Sequence, residues 1–160
     1  MALRKLRYDG DEILGKISKP VKQIDDKTRQ LLDDMLETME HENGIGLAAV
    51  QVGVLKRILV FDPCEEDSKP IEMINPQVVH NEGMQDGWEA CLSIPGHSGL
   101  VERPEVTVVK AQDRWGKEFE MRAEGFLAVV LNHELDHLDG VLYTQKAKVM
   151  RQNDDEEDEE

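Results

Sequence analysis

The residues best suited to chemistry lie in the stretch 132–140, which contains the pattern H-E-x-x-H. On a helix, residues four apart lie on the same face, so His133 and His137 can bind one metal ion. Glu134 is then placed to take a proton from a water on that ion. The same pattern also arises by chance in amphipathic helices. The preceding apolar run, residues 126–131, favours the metal site, because two histidines and a glutamate on a buried helix need a partner.

A metal site of this kind needs a third ligand, and two sources are open. Many zinc peptidases take an acidic ligand from well downstream of the second histidine, but the few residues after His137 end in an acidic run, and Asp139 lies too close. Upstream, Cys91 offers a thiolate, which is a strong ligand for Zn²⁺ or Fe²⁺ and leaves a fourth position open for water. The chemistry therefore favours Cys91. Nothing indicates secretion, so we expect free thiols, with Cys64 as an incidental one.

The composition indicates a soluble, globular chain. Of the 160 residues, 39% are hydrophobic and 33% charged, and no apolar run approaches the ~20 residues of a membrane span. The net charge of −15 disfavours nucleic acid as a partner, because binding it requires basic patches. The chain ends in a nearly continuous acidic run. We therefore predict a single catalytic domain over residues 1–150 and an acidic, disordered tail over residues 151–160.

The elements that must position these residues follow from periodicity. Residues 25–42 carry apolar side chains at helical spacing, with Asp25 as N-cap and Asn43 and Gly44 as a stop signal, which predicts an amphipathic helix. Residues 81–86 are predicted to be a polar loop. Four β-branched stretches predict strands: residues 57–62, 71–80, 101–112 and 117–123. The predicted fold class is α+β, with antiparallel or mixed β-sheets surrounding a buried central helix that carries H-E-x-x-H, plus one N-terminal amphipathic helix.

The segment at residues 44–51, Gly-Ile-Gly-Leu-Ala-Ala-Val-Gln, has two interpretations. Two glycines one residue apart allow positive φ or a close backbone approach, as in a tight turn that leads into a strand. Alternatively, the segment is an exposed strand edge with which an extended ligand can pair. Gln51 offers an amide donor at its end. A nucleotide loop is excluded, because the segment lacks the third glycine of a dinucleotide fingerprint and the Gly-Lys-Ser/Thr of a phosphate loop.

Three segments of the chain together resemble the peptide deformylases, metalloenzymes that remove the N-formyl group from new polypeptides. The motifs of that family are G-x-G-x-A-A-x-Q, E-G-C-L-S and Q-H-E-x-D-H-L-x-G. This chain has, in the same order, GIGLAAVQ at 44–51, EACLS at 89–93 and NHELDHLDG at 132–140. The resemblance covers roughly residues 1–145. Ala90 replaces a glycine of the family, which would narrow the substrate groove, and Asn132 replaces a glutamine beside a ligand. Neither change removes a catalytic group.

The resemblance implies a role for each matching residue. The implied metal ligands are Cys91, His133 and His137. The usual ion of the family is Fe²⁺, and Zn²⁺, Ni²⁺ or Co²⁺ can replace it. Glu134 is implied to take a proton from the metal-activated water and to return it to the leaving amine. The Gln51 side-chain amide and the Leu92 backbone N–H are implied to stabilise the oxyanion. The products would be formate and a free N-terminal Met.

The substrate side has its own candidates. Phe126, Val129 and Val130 precede His133 by seven, four and three residues and so share its helix face. They either line an apolar pocket suited to an unbranched Met side chain or pack the core. The backbone next to the two glycines can pair with a peptide as an added strand. The predicted substrate-binding residues are Ile45, Gly46, Glu89, Ala90, Phe126, Val129 and Val130.

Two rival functions remain open at this point. A zinc metallopeptidase shares H-E-x-x-H but does not need Cys91. A degenerate, non-enzymatic relative would bind metal without turnover.

Arg103 and Asp136 carry a separate hypothesis. We expect them to form an ion pair that orients the helix of the H-E-x-x-H residues. The alternative is that one or both of these side chains lie on the surface without that contact.

The resemblance also predicts partners and location. The expected substrates are N-formylmethionyl peptides at the start of nascent chains. Longer bacterial members continue after the third motif into another helix, and this chain resembles the short form known among viral deformylases. Without that helix, and with an acidic tail that RNA repels, ribosome docking is expected to be weak. We expect a monomer with no membrane association, in the cytoplasm of a bacterium or an infected bacterial host, or in an organellar stroma if a transit peptide has been removed.

Overall fold

Two antiparallel sheets and two α-helices form the framework of the computed structural model, which describes residues 2–153. The five-stranded sheet has the order β1-β2-β3-β6-β7. Its strands are β1 (Gly46–Ala48), β2 (Ile58–Phe61), β3 (Ile71–Glu82), β6 (Val106–Gln112) and β7 (Glu118–Glu124). The three-stranded sheet has the order β4-β5-β8. Its strands are β4 (Gln85–Cys91), β5 (Ile94–Arg103) and β8 (Val149–Gln152). With the two helices described next, these sheets confirm the predicted α+β class.

Helix α1 (Asp26–His41) is the predicted amphipathic helix. Asp25 is its N-cap, and the Asp25 carboxylate accepts a hydrogen bond from the Thr28 N–H at 3.0 Å. The helix ends before Asn43, whose φ of 58° starts the turn into Gly44. Its apolar face packs on β1 and β2, in a core cluster that includes Leu32, Met35, Leu47, Ile58 and Val60.

Helix α2 (Phe126–Leu138) packs on the five-stranded sheet and carries the H-E-x-x-H residues. Leu131 and Leu138 are fully buried in one cluster with Phe61 and Met73 of that sheet. The expectation that the whole run 126–131 is buried is wrong at Phe126, whose side chain is 57% exposed. Phe126 occupies the first turn of the helix, where it borders an open pocket instead of the core.

Two predicted boundaries between strands and loops are wrong. Most of the predicted loop at 81–86 is strand, because β3 continues to Glu82 and β4 begins at Gln85. The turn is only two residues long, and Gly83 adopts a φ of +71°. The stretch 101–112 is divided at Pro104 between β5 and β6, which belong to different sheets. Proline lacks the N–H that a continuous strand would need.

The chain after α2 forms a short 3₁₀ helix (Tyr143–Gln145) and then β8. Strand β8 includes Arg151 and Gln152, which were predicted to begin the disordered tail. The rest of that predicted tail, residues 154–160, lies outside the described residues. Among the described residues, no helix is long and apolar enough to cross a membrane.

Candidate active site

Three potential metal ligands meet between β4 and α2. Cys91 ends β4, while His133 and His137 lie one turn apart on α2. Their donor atoms all lie within 4.8 Å of one another, all three side chains are buried, and Cys91 Sγ is 3.4 Å from His137 Nε2. One thiolate and two imidazoles form a donor set that suits Zn²⁺, Fe²⁺ and similar ions. The residues therefore fit a divalent metal ion. Both cysteines are free, and Cys64 is exposed whereas Cys91 is buried.

A buried network of charged groups orients His133. Its Nδ1 lies 2.9 Å from Glu89 Oε1, which directs the other ring nitrogen towards Cys91. Arg103 donates to both oxygens of Glu89, at 2.7 and 2.9 Å, and to Asp136 at 2.7 Å. Burial alone would raise the pKa of Glu89, but the hydrogen bonds from Arg103 and His133 hold it below its usual value. Glu89 is therefore an ionised group that fixes the imidazole.

The structure confirms the predicted Arg103–Asp136 ion pair. Glu89 was predicted only as a substrate-binding residue, and its contacts with His133 and Arg103 were missed. A signal was present in the sequence, because Glu89 stands two residues before Cys91. On a strand, residues two apart point to the same face. A glutamate directed to the side of a metal ligand is a candidate partner for the other ligands.

The two histidines differ in protonation. Burial lowers the pKa of His137 well below its usual value, so its ring is neutral and can bind a metal. Burial also opposes protonation of His133, but hydrogen bonds to Cys91 and Glu89 raise its pKa to about 10. A metal ion held by Cys91 and His133 would replace the proton that the hydrogen bond to Cys91 favours on the imidazole. Metal binding here is therefore expected to release protons.

Glu134 lies beside this cluster, almost completely buried. Burial raises the pKa of its carboxyl to about 7. Its Oε1 has no hydrogen-bond partner among the described residues, and its Oε2 faces Gly46 so closely that there is no room for a Cβ at that position. A carboxyl group with a pKa near neutrality can both take and return a proton. A cation held by the three ligands would lower this pKa again.

Gln51 directs its amide nitrogen at the same cluster. Its Oε1 accepts the Ala48 N–H at 2.9 Å, which fixes the orientation of the amide. Its Nε2 then lies 3.0 Å from Ser93 Oγ and 3.6 Å from Cys91 Sγ. Leu92 follows Cys91 in the tight turn between β4 and β5. An amide donor and the backbone of this turn are thus both placed next to the ligand cysteine.

A cavity of about 390 Å³ opens onto these groups. Every predicted site residue except His137 borders it. Val129 and Val130 are buried beside it, and Val130 also belongs to the main core, so the two interpretations of this helix face both hold in part.

Within residues 2–153, β1 pairs only with β2 and is an edge strand, and Gly46 at its start borders the cavity. Only residues 46–48 of the segment 44–51 are strand, because a 3₁₀ helix begins at Ala49. The pairing of a ligand with this edge stays a prediction.

Trp88 also borders the cavity and was not predicted. It lies on β4, two residues before Ala90, so both side chains point to the same face of the strand. The sequence contained a signal for this placement of Trp88, because Trp88 directly precedes the EACLS segment. Its indole is 41% exposed.

A buried Cys-His-His donor set, an H-E-x-x-H helix and an open groove define the class of metal-dependent hydrolases. The model of the polypeptide deformylase family matches residues 3–153. The chain therefore belongs to the polypeptide deformylase family. This confirms the family recognised from the three motifs and the prediction that the chain is an enzyme.

Individual relatives agree with this assignment. A peptide deformylase of Lachnoclostridium phytofermentans is 51% identical over 146 residues, which cover 91% of this chain and 90% of that protein. One of Caldicellulosiruptor bescii is 55% identical over 146 residues, covering 91% and 86%. The crystal structure of a peptide deformylase from Legionella pneumophila superposes with a TM-score of 0.88 at 42% identity, covering 91% of this chain and 86% of that one.

Proposed function

We propose that this chain hydrolyses the formyl amide of N-formylmethionyl peptides, releasing formate and a free N-terminal Met. One observation carries the proposal: the Cys91-His133-His137 cluster and Glu134 lie together at the base of a groove that is bordered by an edge strand. An amide bond requires a nucleophile, a group that stabilises the oxyanion and a proton for the leaving nitrogen. This site has candidates for all three.

The metal-binding residues are proposed to be Cys91, His133 and His137. Fe²⁺ is proposed as the physiological ion, with Zn²⁺, Ni²⁺ or Co²⁺ as possible replacements, because a thiolate with two imidazoles accommodates all four. When bound, such an ion acts as a Lewis acid and lowers the pKa of a water molecule.

Glu134 is proposed as the group that moves the proton. Its carboxylate takes a proton from the attacking water while the water oxygen bonds to the formyl carbon. It then gives that proton to the amide nitrogen as the C–N bond breaks, so that the amine leaves neutral and formic acid remains, which ionises to formate by losing the second proton of the water. Burial makes Glu134 a stronger base by raising the pKa of its carboxyl, and a bound cation would lower that pKa again, which favours return of the proton.

The developing oxyanion needs hydrogen-bond donors already in place. Gln51 Nε2 and the Leu92 backbone N–H are proposed for this role. The proposal is supported by the fixed orientation of the Gln51 amide, whose oxygen is held by the Ala48 N–H. A donor that is oriented before the reaction needs no rearrangement in the transition state.

The peptide is proposed to lie between β1 and β4. The backbone of Ile45 and Gly46 would pair with it on one side, and Glu89 and Ala90 border the groove on the other. Phe126, Val129 and Val130 would enclose the Met side chain. Recognition through the main chain tolerates many sequences, which suits an enzyme that acts on many nascent chains.

The decisive experiment is a formate-release assay with formyl-Met-Ala-Ser, using Fe²⁺-loaded protein under low oxygen, repeated with Glu134→Ala. We expect turnover by the wild type and a loss of about 10²- to 10⁴-fold in kcat with the metal content unchanged. Equal formate release by both proteins would overturn the mechanism. A Cys91→Ala variant that kept both metal and activity would favour a zinc metallopeptidase instead. Bound metal without any turnover would favour a non-enzymatic relative.

Further proposals concern the oligomeric state, the domain, the location and the ribosome. We propose a monomer with one catalytic domain that extends beyond the predicted limit of residue 150 to the end of β8 at Gln152, located in the cytoplasm, where nascent chains are made. Docking to the ribosome is proposed to be weak, because a net charge of −15 opposes contact with RNA.

A further inference from the structure

Trp88 and Arg151 form a cation–π pair next to the groove. The guanidinium carbon of Arg151, on β8, lies 4.0 Å from the centre of the Trp88 ring, on β4. Trp88 borders the groove that contains the metal ligands. The proposed deformylation mechanism uses neither residue. The pair is therefore a feature of the groove that the chemistry at the metal does not explain.

The three-stranded sheet holds this pair in place. Strand β5 lies between β4 and β8. On β5, Leu100 pairs with Trp88 of β4 on one side and with Val149 of β8 on the other. Ser98, two residues earlier on β5, pairs with Arg151 of β8. Because residues two apart on a strand share a face, these side chains all lie on one face of the sheet. Arg151 Nε donates to Ser98 Oγ at 3.1 Å. The guanidinium is thus fixed across β5 and laid over the indole.

The charge of Arg151 stays available to a ligand. Arg151 is exposed, and the ion pairs among residues 2–153 include none for it, whereas Lys148, the residue before β8, pairs with Asp86 at 3.0 Å. A guanidinium carries five N–H donors, and the described contacts of Arg151 engage one of them. The acids that border the groove, Glu89 and Glu134, are both buried. Arg151 therefore presents a cation across β5, against the indole of Trp88, which itself borders the groove.

The position of Trp88 along β4 indicates which part of a bound peptide would reach the Arg151 guanidinium. Trp88 precedes the metal ligand Cys91 by three residues, which is ~10 Å along a strand. A peptide that leaves the metal along β4 passes Ala90 first and Trp88 next. An extended peptide covers ~10 Å in about three residues, so the region after formyl-Met, centred on the third residue, would lie beside Arg151.

We propose that Trp88 and Arg151 form a carboxylate-binding subsite at the outer end of the groove. It favours formyl peptides with a carboxylate near the third residue, either an acidic side chain or the C-terminal carboxylate of a short peptide. This inference rests on the proposed function, because it requires a formyl peptide in the groove. Simple covering of the indole by Arg151 predicts no such preference.

The test compares three matched substrates: formyl-Met-Ala-Asn-amide, formyl-Met-Ala-Asp-amide and formyl-Met-Ala-Asn with a free carboxylate. The first has no carboxylate, and the other two place one on a side chain or at the C-terminus. For the wild type, we expect a KM about two- to fivefold lower for the favoured carboxylate peptide than for the neutral amide, the usual range for an exposed ion pair, with kcat unchanged. Raising the ionic strength should reduce the difference.

Arg151→Gln should bring the KM values of the charged and neutral peptides together, and Arg151→Lys should keep part of the difference. The matched control is Lys148→Gln, which removes another cation three residues before Arg151 and should keep the whole difference. Equal KM values in the wild type, or a difference that persists in Arg151→Gln, would overturn the subsite. Absence of formate from the neutral amide would instead contradict the proposed function.

Binding can be measured without turnover. The chain has two tryptophans, and Trp115 is 73% exposed in the turn between β6 and β7. In a Trp115→Phe, Glu134→Gln background, Trp88 is the single tryptophan, and its fluorescence reports a peptide beside it. Kd should show the same preference for a carboxylate, and adding Arg151→Gln should abolish it. A Kd that is independent of the carboxylate would overturn the proposal even if every variant were inactive.

Discussion

Gly46 leaves the space that the Glu134 carboxylate occupies, so one added methyl group tests the geometry of the site. A Cβ at Gly46 would overlap Glu134 Oε2 and would lie 3.0 Å from both Cδ and Cγ of that side chain. Ordinary carbon contacts are about 3.5–4.0 Å, so in Gly46→Ala the carboxylate must retreat by roughly 1 Å. Glu134 is only 4% exposed, and its surroundings resist that movement.

A displacement of about 1 Å at a catalytic group costs on the order of 100-fold in rate. We therefore expect kcat for formate release to fall about 100-fold in Gly46→Ala. The metal content should be unchanged, because Cys91, His133 and His137 are not displaced directly. The free energy of unfolding should fall by about 1–3 kcal/mol, the usual cost of overpacking a core. Formate release, metal analysis and urea denaturation measure the three quantities.

The matched control is Gly87→Ala, on the neighbouring strand β4. A Cβ there would lie 3.8 Å from Val129 Cγ2, an ordinary contact, and its φ is not in the left-handed region. Its kcat should equal that of the wild type. The reasoning is refuted if Gly46→Ala, fully loaded with metal, turns over as fast as Gly87→Ala.

Three further predictions concern the charged groups. Glu89→Ala should weaken metal binding by about 10- to 100-fold in a chelator competition, because His133 loses the partner that fixes its ring. Arg103→Leu should lower the free energy of unfolding by about 3–5 kcal/mol in urea titrations, because Glu89 and Asp136 lose the buried guanidinium that they share. Burial alone would raise the pKa of Asp34, but hydrogen bonds from Gln30, Ala2 and Arg4 hold it below 3.8. This stability is present above pH 3.8 and is lost as the pH falls through the lower folded-state pKa, so Asp34→Asn should destabilise the protein at pH 7 and progressively less in acid.

Each of these has a contrary outcome. Unchanged metal affinity in Glu89→Ala would mean that packing alone holds the imidazole. The control for Arg103 is Arg122→Leu, which breaks the exposed pair with Glu124 and should cost only about 0–1 kcal/mol; equal losses would contradict the buried network. A destabilisation by Asp34→Asn that does not depend on pH would show that the Asp34 charge contributes nothing.

The local elements were accessible to prediction where one physical rule dominates. The 3.6-residue periodicity and the cap at Asp25 predicted a helix over residues 25–42, and the observed limits of α1, Asp26–His41, differ by one residue at each end. The spacing of His133 and His137 predicted that both would face one point. Strand limits were less predictable, because polar residues such as Asn81 and Gln85 belong to strands only through their cross-strand partners Thr107 and Arg103.

The chemical inventory of the site was determined by the sequence itself. The spacing within the helix specifies two imidazoles on one face and a carboxylate beside them, since i, i+4 geometry is local to a helix. The residue type of Cys91 supplies the thiolate. Only the tertiary structure decided that Glu89 of β4 joins the Arg103–Asp136 pair to His133, and that Arg151 of β8 reaches Trp88 across β5. Those contacts join residues far apart in the chain. They depend on strand order and register, which the packing of the whole core determines and no local pattern encodes.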